Sequence, residues 1–206
     1  MVNAFDTLRV YPPDTGLGGT ALSLWIDEDA FINSRYPIDP VTIGVATLDG
    51  LNEFGVPHNG FSDPSAYGVA DFLTSKPIAL ADKMNEVYLT FYYQPQGIGN
   101  GPQSEDSLVL EFYAPKEFAW HNIWSVPGKS TQNFRHVIVQ VTGSEYLQKG
   151  FQFRFKNYAT LSGAMDHWHI DYVRLNKNRS AVDSLIVDVA VVKASRSIYK
   201  TYEAVP

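Results

Sequence analysis

"FQFRFK", residues 151–156, alternates Phe151, Phe153 and Phe155 with Gln152, Arg154 and Lys156. Successive side chains of a strand point to opposite faces, so this period of two predicts a strand with its apolar face on a core and its polar face away from it. Working outward, "HVIVQV" (136–141), "SLVLEFY" (107–113) and "VYLTFYY" (87–93) are rich in β-forming residues and too short for stable helices. "TIGVATL" (42–48) and "YVRL" (172–175) read as further strands, and "SLIVDVAVV" (184–192) is apolar enough for one covered on both faces. Pro12-Pro13, Asp49-Gly50, Asn59-Gly60, "QPQGIGNGPQ" (94–103) and Pro127-Gly128 separate them as turns. Helical periodicity is confined to about one turn at "SEYLQK" (144–149). The pattern predicts an all-β fold, an antiparallel two-sheet β-sandwich and most simply a jelly roll, as one domain over residues 1–206.

A chain of 206 residues suits one sandwich, and 45% hydrophobic with 14% aromatic residues can fill its core. The formal charge of −6 is spread along the chain without a basic stripe, which argues against nucleic acid as a partner. No apolar run approaches the roughly 20 residues of a membrane-spanning helix. Without cysteine there are no disulfides, no thiolate nucleophile and no Cys-ligated zinc. The first residues lack a basic-then-apolar signal pattern and read as strand almost from Met1, while the sequence stops abruptly at Pro206. A fragment of a larger multidomain protein, with Met1 added to it, is the expectation.

The sharpest chemical candidate is "DHWHIDYVRL" (166–175), where His167, His169 and Asp171 recur at every second residue and so share a strand face. Imidazoles and a carboxylate on one face suit zinc, which could activate water for a hydrolase. Against this, the ligands climb the strand by about 7 Å per step, so one ion rarely meets all three. The same row fits a polar strand face bonded to loops, with Val173 and Leu175 continuing it toward the core. Asp27, Glu28, Asp29, Asp49, Asp71 and Asp166 offer hard oxygen ligands for a structural calcium, though without the spacing of an EF-hand loop. Glu111 is a lone acid in its strand, where a glycosidase needs a facing pair. No nucleophile elbow, zinc-protease helix or phosphate loop is present, and the reading is that the chain is not an enzyme. Trp120 and Trp124, near a hairpin bend in "EFAWHNIWSVPG" (117–128), with Tyr92 and Tyr158, are candidate rings for stacking on a sugar or anchoring a protein. Asn178-Arg179-Ser180 matches a glycosylation sequon.

Several phrases together resemble a domain of exported, cell-surface proteins of Bacteroidota. They are "TIGVATLDGLNEFGVP" (42–57), "ADFLTSKPIAL" (70–80), "LTFYYQPQGIG" (89–99), "DSLVLEFYAP" (106–115), "IWSVPG" (123–128) and "GFQFRFKNYATLSGAMDHWHIDYVRL" (150–175). The resemblance covers most of the chain, and its last phrase is the specific one. It implies an extracytoplasmic module of a protein delivered by type IX secretion or serving gliding and attachment. The triplets "DTL" (6–8) and "DSL" (106–108 and 183–185) resemble the O-glycosylation signal of such proteins. The order of elements is also similar to MAM and concanavalin A-like jelly rolls: Asp49, "LTSKPI" (73–78), "LTFYY" (89–93) and the closing "IDYVRL" (170–175). MAM domains usually carry disulfides and this chain cannot, so the likeness is one of architecture. It implies that Asp171 ties the ends of the fold together, in some members through calcium shared here with Asp49, and that His167 and His169 lie at a rim. It further implies a non-catalytic module for adhesion, recognition or scaffolding, with a protein or glycan partner at the cell surface or neighbouring domains of the same chain. A carbohydrate-binding module is the alternative, and a metal-dependent hydrolase the third reading.

Overall fold

The computed structural model describes residues 24–60, 62–80 and 87–177. The strand expected at 184–192, the Pro12-Pro13 turn, the sequon at Asn178 and the triplets at 6–8 and 183–185 lie outside them. Among the described residues ten strands form: β1 (Phe31–Asn33), β2 (Val45–Leu48), β3 (Tyr67–Thr74), β4 (Ile78–Ala79), β5 (Val87–Pro95), β6 (Ser107–Ala114), β7 (Ala119–Pro127), β8 (Arg135–Gln140), β9 (Lys149–Thr160) and β10 (Trp168–Lys177). They make two antiparallel sheets, β1-β2-β10-β5-β8 and β3-β9-β6-β7, with β4 paired to β9 beside the second. The fold is the all-β two-sheet sandwich that the period of two predicts.

The core lies between the inner faces of the two sheets. Phe151, Phe153 and Phe155 of β9 face inward beside Leu108, Leu110 and Phe112 of β6, against Leu89 and Phe91 of β5 and Trp168 and Ile170 of β10. Each fully buried ring or branched side chain contributes about 1.5–3 kcal/mol by leaving water. Trp120 and Trp124 lie on the nine-residue strand β7, and Trp120 stands close to the turn at 115–118 that joins β6 and β7 as a hairpin. The alternation of β7 is obscured in sequence because a register shift between Leu110 and Glu111 leaves Ile123 unpaired.

A second irregularity corrects the reading of β10. The register against β5 shifts between Asp171 and Arg174, and Tyr172 takes φ 51°. An extra residue in one strand reverses which side chains face the core. Val173 and Leu175 therefore join the core side with Trp168 and Ile170, and do not continue the His167–His169–Asp171 face.

Candidate binding face

The outer faces of the two sheets differ. On the first, Thr47 of β2, His169 and Asp171 of β10 and Gln94 of β5 point away from the core, yet each is at most 3% exposed. Loops cover them, and their hydrogen bonds are what hold the loops. Asp171 accepts from the Thr42 amide at 2.9 Å and from its hydroxyl at 2.5 Å. Gln94 accepts from the Ile38 amide at 2.8 Å and donates to the carbonyls of Ile38 and Gln132, both at 2.9 Å. His169 Nε2 donates to the Gln96 carbonyl at 3.2 Å, which leaves Nδ1 to accept from the Thr47 hydroxyl at 2.8 Å. Thr47 Oγ1 in turn accepts from Asn33 at 2.8 Å. Burial pushes His169 down to about 4, so it is neutral at physiological pH.

The two histidines are thus buried, not at a rim. The "QGIGNG" loop (96–101) lies directly on them. Gly97, at φ +58°, has the Tyr36 carbonyl where a Cβ would stand, and a Cβ on Gly99 would sit 2.6 Å from His167 Nδ1. Only residues without a Cβ let the loop come so close. His167 Nδ1 donates to the Asn100 carbonyl at 3.1 Å, and its ring lies 4.9 Å from that of Tyr36. Both nitrogens of His169 are occupied, so the pair does not converge on an open metal position. Among the described residues, no group of three or more His, Asp or Glu side chains is placed to hold a metal ion.

Asp49 and Asp171, expected to share a calcium, belong to separate networks. Ile170 pairs with Ala46, so Asp171 stands across from Val45, about 13 Å along the strand from Asp49. Asp49 instead joins the two sheets. Its amide donates to Asp71 at 2.8 Å, and its carbonyl accepts from Asn157 of β9 at 3.1 Å. Asn157 also accepts from the Asp71 amide at 2.8 Å, and His58 bonds the other Asp71 oxygen at 2.9 Å. Burial raises Asp71 to about 7, and the hydrogen bond to Asp71 raises His58. Both displacements favour keeping protons on the pair near neutrality, where its two groups titrate together.

The outer face of the second sheet is held by different means, since the side chains at its centre fasten to one another. The register places Glu111 of β6 beside Arg154 of β9, Tyr113 beside Trp120 of β7, and Phe72 of β3 beside Lys156 of β9. Glu111 accepts from Arg154 Nε at 2.6 Å and from Lys156 Nζ at 2.7 Å. Burial alone would raise Glu111, but these two hydrogen bonds outweigh it and hold the carboxyl below its usual range. The Arg154 guanidinium carbon lies 4.1 Å from the Trp120 ring centre and 4.9 Å from that of Phe72. Tyr113 packs 5.1 Å from Trp120, and Lys156 lies 5.3 Å from the Tyr158 ring. All four rings are half-buried.

Of the four rings expected to bind ligand, Trp120 and Tyr158 share this face. Trp124 points inward, 5.2 Å from both Phe91 and Tyr93, and is part of the core packing. Tyr92 lies on the outside of the other sheet, stacked 4.6 Å from His136. Phe72, Tyr113, Arg154 and Lys156 were not singled out from sequence. The available signal was the polar half of "FQFRFK", whose meaning depends on Glu111 lying opposite it.

No family model matches the chain, and no curated protein matches it. Among solved structures, it is similar to the X-ray crystal structure of a non-crystalline cellulose specific carbohydrate-binding module, CBM28. The identity is 13%, with 74% of this chain and 86% of that one covered and a TM-score of 0.40. A likeness that distant says nothing of a ligand for this chain.

Proposed function

We propose that the domain is a non-catalytic binding module of an exported surface protein, and that it binds a glycan across the outer face of the β3-β9-β6-β7 sheet. The export and the Bacteroidota setting follow from the sequence resemblance. One observation supports the choice of face: Trp120, Tyr113, Phe72 and Tyr158 surround the Glu111–Arg154–Lys156 ion group on one side of one sheet. Flat apolar rings interleaved with fixed polar groups suit a pyranose, which has an apolar face and a hydroxyl edge. The opposite outer face spends its polar groups on its own loops.

A second reading, docking of a protein, is favoured by Phe54 and Ile98, which are 79% and 71% exposed on loops at one end of the sandwich. Polysaccharide affinity electrophoresis separates the two. Trp120→Ala is expected to weaken glycan binding about tenfold or more, as loss of a central aromatic anchor does, while Tyr92→Ala leaves it unchanged. Equal retention of Trp120→Ala and the parent protein would remove the sheet face from the account.

A further inference from the structure

The ion group on this face is unbalanced in a way that bears on the ligand. Glu111 is one anion between two cations, which leaves a positive charge over in a chain whose formal net charge is −6. Arg154 bonds Glu111 through Nε, and among the described residues its Nη1 and Nη2 groups donate to nothing. Its guanidinium is held between Phe72 and Trp120, so the planar fork has a fixed orientation before any ligand arrives. Lys156 spends one contact on Glu111 and has donors to spare.

We infer that the glycan bound here is acidic, a polymer of uronic acids, with a ring carboxylate taken by the free end of the Arg154 fork and supported by Lys156. A guanidinium presents two parallel N–H groups that match the two oxygens of a carboxylate, and a preoriented fork loses little freedom on forming that pair. A neutral glucan would leave those donors without a charged acceptor and gain only the stacking. This inference rests on the glycan-binding reading above and deepens it.

The test compares polygalacturonate, dextran sulfate and neutral hydroxyethylcellulose by isothermal titration calorimetry at low and high salt. The parent protein, Arg154→Met, Arg154→Lys and Trp120→Ala are titrated, with circular dichroism to confirm folding. Arg154→Lys keeps the charge beside Glu111 and guards against a misfolded methionine variant. The expected result is tightest binding to polygalacturonate, weakened by salt, with at least a tenfold loss in both Arg154 variants. Where hydroxyethylcellulose binds at all, the Arg154 variants are expected to lose several-fold less of that binding than of polygalacturonate binding. Polygalacturonate binding that survives in Arg154→Lys, or that dextran sulfate equals independently of Arg154, would reduce the effect to net charge and overturn the inference. Tighter binding to hydroxyethylcellulose, lost in Trp120→Ala, would overturn it while keeping the glycan reading. Binding to none of the three polymers would sink both.

Discussion

Asp171→Ala is expected to lower the stability of the domain by about 3–4 kcal/mol, the cost of removing a buried charged acceptor and leaving the donors it served unpaired. Asp171 is 3% exposed and takes both hydrogen bonds offered by Thr42, so its loss strands a buried amide and releases the loop ahead of β2. For a domain of this size the melting temperature should fall by roughly 10 °C. Asp171→Asn keeps one acceptor oxygen and should lose about half as much. Urea and thermal unfolding measure both variants. The fall should be the same in EDTA and in calcium, because Asp49 lies in another network and the Asp171 oxygens are already committed. A calcium-specific rise in the parent protein that disappears in Asp171→Ala would contradict this and restore the shared ion. So would a change in melting temperature of less than about 1 °C.

Stability against pH should carry two contributions of opposite sign. Burial lowers His169 to about 4, so between about 4 and 6.5 the unfolded chain binds the proton that the folded chain refuses. That contribution is complete above the ordinary histidine range and is lost as pH falls, amounting to about 3 kcal/mol at the acid end. Asp71 works the other way. Its folded value near 7 means that the native state keeps a proton the unfolded chain has released, so stability falls as pH rises from about 4 to 7. The upward displacement of His58 extends that decline past neutrality. The two contributions oppose each other below 6.5, and above it only the decline remains. Urea unfolding from pH 4 to 9 should therefore give lower stability at pH 8 than at pH 6. Asp71→Asn should flatten the slope between them, because its Oδ1 accepts from Asp49 and its Nδ2 supplies the donor that a protonated Asp71 gives His58. His169→Gln should remove the rising contribution, so that stability falls with pH from about 4 onward. Stability that rises from pH 6 to 8 in the parent protein would show that the His58–Asp71 pair does not keep its protons near neutrality.

The same residues show how much the sequence discloses. The strands around "FQFRFK", "SLVLEFY", "VYLTFYY" and "HVIVQV" are legible because one face of each is core, and the period of two follows directly from that. Asp171 is legible as an anchor from its place in the "IDYVRL" (170–175) phrase that resembles a jelly-roll closing strand. The bulge at Tyr172 is not, since one extra residue leaves no mark in the alternation until the partner strand is known, and it moves Val173 and Leu175 to the core. His167 and His169 look like rim residues until the "QGIGNG" loop lies on them. The spacing of Gly97 and Gly99 carries that signal, but only for a reader who knows what the loop covers. The binding face is the least legible part. Glu111, Arg154 and Trp120 come from three strands, and only the register of β6 against β9 and β7 brings them together.

The most direct measurement is a map of amide NMR shifts on titrating the labelled domain with galacturonate oligomers. The account predicts that the perturbed amides cluster on β3, β9, β6 and β7 around Phe72, Glu111, Trp120, Arg154 and Lys156. Shifts concentrated instead on the loops at 50–60 and 96–101 would place the ligand at the end of the sandwich and contradict it.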